Sequence, residues 1–258
     1  MVNILLHGCN GRMGRVIAAL AKETDDIRIA AGIDAFGTAD ADFPVFTSCD
    51  EVTKEVIAET DVVIDFSTAS AVDALLDFVA KNNLPCVLCT TGLNEAQTAH
   101  MKSVAEKTAI LKSANMSVGI NLLLKILKEN AAVLDAAGFD IEIVEKHHKK
   151  KLDAPSGTAI ALGDAVNESL RERGETYPFI YDRSERRQER PQTEIGISAV
   201  RGGTIVGDHD VIFAGADEVV TLSHRAYSRN VFATGALAAA RFLAGKPAGM
   251  YDMAQVVQ

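Results

Sequence analysis

The chain has 258 residues, 48% hydrophobic and 24% charged, with a formal net charge of -9, so one or two globular domains with a substantial core are expected. That acidic balance argues against a general nucleic-acid or anionic-membrane partner, both of which select a basic face, and leaves room for a small anion in a local basic pocket. Met1-Val2-Asn3-Ile4-Leu5-Leu6 lacks the positive start and long apolar run of a signal peptide, and no apolar run approaches membrane-spanning length, so a cytoplasmic location is expected.

Val2-Asn3-Ile4-Leu5-Leu6-His7 reads as a short apolar strand and runs into Gly8-Cys9-Asn10-Gly11-Arg12-Met13-Gly14, followed by a helix over 15–23. Strand, glycine-rich turn and helix open a dinucleotide-binding fold. The spacing G-x-x-G-x-x-G still permits a tight turn, close approach of backbone to a pyrophosphate and close helix packing. A second strand over 27–33 ends on Asp34, whose carboxylate is placed for the adenosine ribose hydroxyls.

Strands at 61–66, 86–88 and 109–112 alternate with helices at 70–81 and 94–107, which predicts a Rossmann-like, doubly wound parallel sheet over 1–117. Thr90-Thr91-Gly92 and Ala114-Asn115-Met116-Ser117 are strand-end turns, where open α/β sheets bind ligands. The cysteines are Cys9, Cys49, Cys86 and Cys89. Cys86 and Cys89 have redox spacing, but on a strand positions i and i+3 point to opposite faces, so neither a redox nor a metal role is expected.

From Val118 the period changes, and Leu122, Leu123, Ile126, Leu127, Ala131 and Leu134 mark one long helix leaving the first domain. The β-like stretch 139–144 precedes the densest chemistry in the chain, Glu145-Lys146-His147-His148-Lys149-Lys150-Lys151-Leu152-Asp153-Ala154-Pro155-Ser156-Gly157-Thr158, which leads into a helix over 158–171. Segment 177–192, with Arg183, Arg186, Arg187 and Arg190, reads as a mobile surface loop. Strands at 195–201, 208–214 and 218–224, joined through Gly202-Gly203 and Gly215-Ala216-Asp217, suggest an antiparallel arrangement. An alanine-rich helix over 231–243 can pack back on the first domain. The expected domains are 1–117, rejoined by 229–258, and an α+β domain over 118–228.

Clustered ammonium and imidazole groups beside a helix N-terminus favour a small anion. A dinucleotide site together with such a cluster implies hydride transfer to or from that anion. Reducing a C=C or C=N bond also requires a proton, which His147 or Lys151 could give if neighbouring cations brought its pKa towards neutrality. Gly157 and Thr158 could offer N–H groups and a hydroxyl to a carboxylate. Zinc is disfavoured, because no spaced third ligand accompanies the histidines and four lysines would repel the ion.

The run from Glu145 through Ala159 resembles the signature of the 4-hydroxy-tetrahydrodipicolinate reductase family, also called dihydrodipicolinate reductase. The blocks 8–14, 90–92, 114–119 and 195–203 are similar to that family's other motifs, in its order. The resemblance implies NAD(P)H-dependent reduction of the cyclic dicarboxylate intermediate of diaminopimelate and lysine synthesis. It implies His147 and Lys151 as the proton-handling pair and His148, Gly157 and Thr158 as substrate contacts. Cofactor contacts are implied at Gly8, Cys9, Asn10, Gly11, Arg12, Met13, Asp34, Cys89, Thr90, Thr91, Ala114, Asn115 and Met116, with no metal. It further implies a homotetramer built through the sheets of the second domain.

Two positions depart from the family's pattern. Cys89 stands where many relatives have glycine, and Ala35-Phe36 follow Asp34 where NADPH-preferring relatives often carry a cation. NADH is therefore expected as the preferred cofactor, with NADPH second. The rival readings are a sugar or polyol dehydrogenase, which normally carries Glu-Lys-Pro where this chain has Glu145-Lys146-His147, and a regulator that binds NAD(H) without turnover.

Overall fold

The computed structural model describes residues 1–37, 41–113 and 115–257. The elements in chain order are β1 (Val2–His7), α1 (Arg12–Lys22), β2 (Ile27–Ile33), β3 (Val45–Phe46), α2 (Lys54–Glu59), β4 (Val62–Asp65), α3 (Val72–Asn82), β5 (Cys86–Leu88), α4 (Glu95–Ala105), β6 (Ala109–Lys112), α5 (Val118–Ala136), β7 (Asp140–His147), α6 (Gly157–Arg171), β8 (Phe179–Ile180), β9 (Ile195–Arg201), β10 (Gly207–Ala214), β11 (Val219–Ala226), α7 (Asn230–Leu243) and β12 (Gly249–Tyr251). They form two compact units, Met1–Val118 with Asn230–Gln258, and Gly119–Arg229. Among the described residues no helix is long and apolar enough to cross a membrane.

In the first unit seven parallel strands lie in the order β12-β6-β5-β4-β1-β2-β3. All four residues of β4 are buried, as befits a parallel strand covered on both faces. Ile4, Leu6, Val62 and Ile64 pack with Ile17 of α1 and Ala236 and Leu243 of α7. Leu5, Val63 and Ile110 face the other way, onto Leu75, Leu76 and Val79 of α3 and Met101 of α4. Cys86 and Cys89 fall in opposite cores, which is the alternation expected of a strand. A Cβ at Gly235 of α7 would lie 1.6 Å from the Met116 carbonyl oxygen, so any other residue there would push that helix off the sheet.

The start of α1 differs from the expectation. It begins at Arg12, with Gly11 as its N-cap, and Gly14 is buried in the first turn. A Cβ at Gly14 would meet the Gly8 carbonyl oxygen at 2.3 Å, so the third glycine lets the helix pack on the turn itself.

The second unit is a five-stranded mixed sheet, β11-β10-β7-β9-β8, with α5 and α6 on one face. Burial alternates strictly along β7 and β10, and Ile141, Ile143, Val211 and Phe213 point into a core with Leu127 of α5 and Leu162 and Val166 of α6. The expected antiparallel run of three strands holds only for β10 and β11. β9 is parallel to β7 and separated from β10 by it. Gly202-Gly203 therefore turns no hairpin but crosses the end of β7, where Gly202 N donates to His147 O (2.9 Å) and Lys149 N to Gly203 O (3.4 Å).

The arginine-bearing segment is not a loose loop either. Arg183 and Arg186 chelate Glu194, and Arg183 and Arg190 bind Glu142, at 2.6–3.1 Å. Arg187 alone of the four is exposed. Gly196, opposite Glu142 in the β7–β9 register, leaves the space these groups fill, because a Cβ there would lie 1.9 Å from Glu142 Oε2.

Candidate active site

Strand alternation puts Glu145 and His147 on the same, buried side of β7. His147 Nδ1 lies 2.6 Å from Glu145 Oε2. Glu145 is fully buried and accepts from both terminal nitrogens of Arg201 on β9, at 2.7 and 2.6 Å, and from Ser156 N at 2.9 Å. Burial works to raise its pKa, but the bonds from Arg201, His147 and Ser156 outweigh it and hold the carboxyl below its usual range. A carboxylate so fixed settles the imidazole in one orientation with Nδ1 turned inward. A Cβ at Gly207 would come within 3.0 Å of His147 Nε2, so glycine keeps that side of the ring clear.

Ser156 caps α6, its Oγ accepting from Ala159 N at 3.1 Å and lying 3.0 Å from Nε2 of His209. The His209 ring stands edge-on to His147, centroids 5.2 Å apart. Burial, reinforced by His147, pulls the His209 pKa down to about 4. Gly157 and Thr158 form the first turn of α6, the positive end of a helix and so one that attracts an anion. Gly157 is exposed, and a side chain there would meet nothing within 4 Å. Lys151 Nζ binds Asp153 Oδ2 at 2.8 Å, and His148, just past the end of β7, has its Nδ1 buried without a partner among the described residues.

The second unit thus brings His147, Lys151, Gly157 and Thr158 into one turn-and-helix corner. The side chains bonded to the two proton-handling candidates are the carboxylates Glu145 and Asp153, not the cations expected to surround them. Ser156 is the helix cap that the motif offered, whereas Arg201 and His209 complete the corner and were not among the residues expected there. Two basic residues on later strands are common enough in sequence to carry no signal alone.

In the first unit the carboxyl ends of β1, β2 and β4 enclose a cavity of about 570 Å³, lined by Gly8, Asn10, Gly11, Arg15, Asp34 and Phe36 among others. Gly8 has φ +79°, and a Cβ on it would lie 2.6 Å from the Phe66 carbonyl oxygen, so only glycine makes this turn. Gly11 caps α1 without a side-chain bond, so its first N–H groups face an anion unobstructed. Asp34 accepts from Asn10 N (3.0 Å) and Phe36 N (3.1 Å), while Asn10 Nδ2 donates to Gly37 O (2.6 Å). Two lone pairs per oxygen leave that carboxylate able to accept two hydroxyls as well. A glycine cradle, a helix start and a carboxylate with lone pairs to spare fit a dinucleotide.

The other described residues expected to hold cofactor do not line that cavity. The side chains of Cys9 and Met13 pack in the core, burial and then Asp34 push the Cys9 thiol up to about 11, and Arg15 instead of Arg12 lines the cavity. Cys89 and Met116 are also core residues. Thr90 is buried at the end of β5, where Lys112 Nζ braces its carbonyl at 2.6 Å, while Thr91 is exposed and Asn115 half-buried. Ala114 lies outside the described residues. No group of three or more His, Cys, Asp or Glu side chains is arranged to hold a metal ion among the described residues.

Residues 2–116 match the family model for the dihydrodipicolinate reductase N-terminus and 119–257 that for its C-terminus. A 4-hydroxy-tetrahydrodipicolinate reductase of Caldanaerobacter subterraneus subsp. tengcongensis is 50% identical over 258 residues, 100% of this chain and 99% of that one. One from Clostridium tetani is 47% identical over 253 residues, 98% of this chain and 96% of that one. Among solved structures, dipicolinate-bound dihydrodipicolinate reductase from Paenisporosarcina sp. TG-14 has the same fold, with a TM-score of 0.78 at 24% identity over 98% of this chain and 97% of that one. With both halves matched in order and half of its residues shared with a full-length relative, the chain belongs to the dihydrodipicolinate reductase family.

Proposed function

We propose that this chain reduces 4-hydroxy-tetrahydrodipicolinate, by way of dihydrodipicolinate, to tetrahydrodipicolinate in diaminopimelate and lysine synthesis. Bound NADH or NADPH supplies the hydride. The Gly8–Gly11 turn and the start of α1 take its diphosphate, and Asp34 its adenosine ribose. A substrate carboxylate rests on the first turn of α6 at Gly157 and Thr158, with His148 beside it. His147 and Lys151 handle the proton that must reach the ring carbon next to the reduced one. Glu145, clamped by Arg201, balances an imidazolium at His147 and keeps its Nε2 aimed outward. The observation that carries this reading is the buried Glu145–His147 pair held against the Ser156 cap, within 3.1 Å at each link. Lys151→Ala and His147→Gln are each expected to lower turnover about a hundredfold or more, the usual worth of a positioned proton donor. NADH oxidation on adding freshly generated substrate measures it, and near-normal turnover in both variants removes the pair from the chemistry.

NADH is the preferred cofactor in this reading, because the Asp34 carboxylate would face the extra phosphate of NADPH with like charge. Ala35→Arg is expected to shift the ratio of catalytic efficiencies towards NADPH by supplying a phosphate partner. Kinetics with both cofactors at matched salt check it, and a clear NADPH preference of the unmodified enzyme overturns it. The sheet face not covered by α5 and α6, with Val200 and Val219 exposed, is the surface proposed to join four copies, and the mass in solution tests that. The proposed place of action is the cytoplasm, where reduced dinucleotides are maintained.

A further inference from the structure

His7 and Asp65 form a buried pair that none of the steps above uses. They are register partners at the ends of adjacent parallel strands, with His7 Nδ1 2.8 Å from Asp65 Oδ1. Asp65 is wholly buried and its Oδ1 also accepts from Ser67 N at 3.1 Å. A carboxylate this deep is sustained by several donors, and the His7 ring and the Ser67 amide are two of them. With Nδ1 turned inward on Asp65, Nε2 is the ring nitrogen turned outward, and the ring lines the same cavity as Gly8, Gly11 and Arg15. A diphosphate in that cavity favours the doubly protonated ring, whose Nε2 then has a proton to donate.

The charged groups facing this ring are Asp65 from β4, Arg15 from α1 and Asp34 from the end of β2, with Lys112 of β6 behind Asp65. His7 immediately precedes Gly8, so its ring belongs to the anion-binding end of the cavity that the glycine turn and the start of α1 define. We propose that His7 Nε2 donates a hydrogen bond to the bridging diphosphate of the dinucleotide, with Asp65 holding the ring in its donating orientation. This rests on the reading of the cavity as the dinucleotide site.

Binding is the readout, with ADP-ribose and adenosine titrated separately by calorimetry or NMR. His7→Asn keeps a donor at the Nδ1 position for Asp65 and removes the outward Nε2 donor. It is expected to weaken ADP-ribose about tenfold, the scale of one charge-assisted bond, and to leave adenosine within about twofold. Equal weakening of both probes, or of neither, overturns the proposal. Should that variant fail to fold, the unmodified protein still decides: the His7 ring ¹⁵N resonances should move with ADP-ribose or inorganic pyrophosphate and stay in place with adenosine. ADP-ribose binding that leaves those resonances unmoved sinks the proposal alone, whereas an unmodified protein that does not bind ADP-ribose sinks the reading of the cavity as well.

Discussion

His147 is held from three directions, and only one of them is local. Glu145 sits two residues away, whereas Arg201 reaches that glutamate across 56 positions and His209 reaches Ser156 across 53. The continuous motif was legible because its residues lie in one stretch; the remote pair was not, since their meeting depends on strand order. His209 offers a test. Its pKa falls to about 4 from an ordinary 6.5, burial first and then His147 being the causes, so it stays neutral in the fold down to a pH at which the unfolded chain takes up a proton. A base with a lowered folded pKa contributes stability that is present above about 6.5 and lost as pH falls towards 4. The unmodified protein should therefore lose up to about 3 kcal/mol over that window, and His209→Phe should flatten the slope. Thermal melts between pH 4 and 7 check it, and equal slopes in the two proteins refute it. The same variant should lower kcat more than it changes KM, because the Ser156 contact that braces the corner is lost.

Among the elements, the alternating strands and helices of the first unit were legible from period and punctuation. Short β3, α2 and β12 were not, each being a few residues that only neighbours make regular. The parallel placement of β9 was also hidden, because glycines after a strand signal a turn but not which strand the chain then joins. Arg183, Arg186 and Arg190 looked like solvated charge because their partners Glu142 and Asp140 lie on a different strand and Glu194 follows at the start of β9. Glu194 is 2% exposed, and its bonds to Arg186, joined by those to Arg183, outweigh the upward push of burial and bring its pKa down to about 2 from 4.5. A carboxylate with a depressed folded pKa contributes stability present above about 4.5 and lost as pH falls towards 2. Glu194→Gln should cost on the order of 3 kcal/mol at pH 7, with the gap to the unmodified protein closing below pH 4. Denaturant titrations at both pH values measure it, and a pH-independent gap would show that packing alone is responsible.

On the scale of the whole molecule, a chain of net charge -9 proposed to bind a dicarboxylate must attract an anion against its own average field. The four lysines around His147 divide the task. Lys146 is bound to Asp210 at 2.7 Å and Lys151 to Asp153 at 2.8 Å, while Lys149 and Lys150 are exposed at the end of β7. Charges placed in this way raise the local concentration of an anion without touching the reacting atoms, and their reach is about 10 Å at 0.1 M salt. Replacing Lys149 and Lys150 together with glutamine should lower kcat/KM for the dicarboxylate about three- to tenfold at low ionic strength and leave kcat unchanged. The difference should shrink as salt is raised towards about 0.5 M, where screening shortens that reach to a few ångströms. Steady-state kinetics across a salt series give the answer: a loss of kcat, or a gap in kcat/KM that salt does not close, would move these two lysines from steering into the binding site itself.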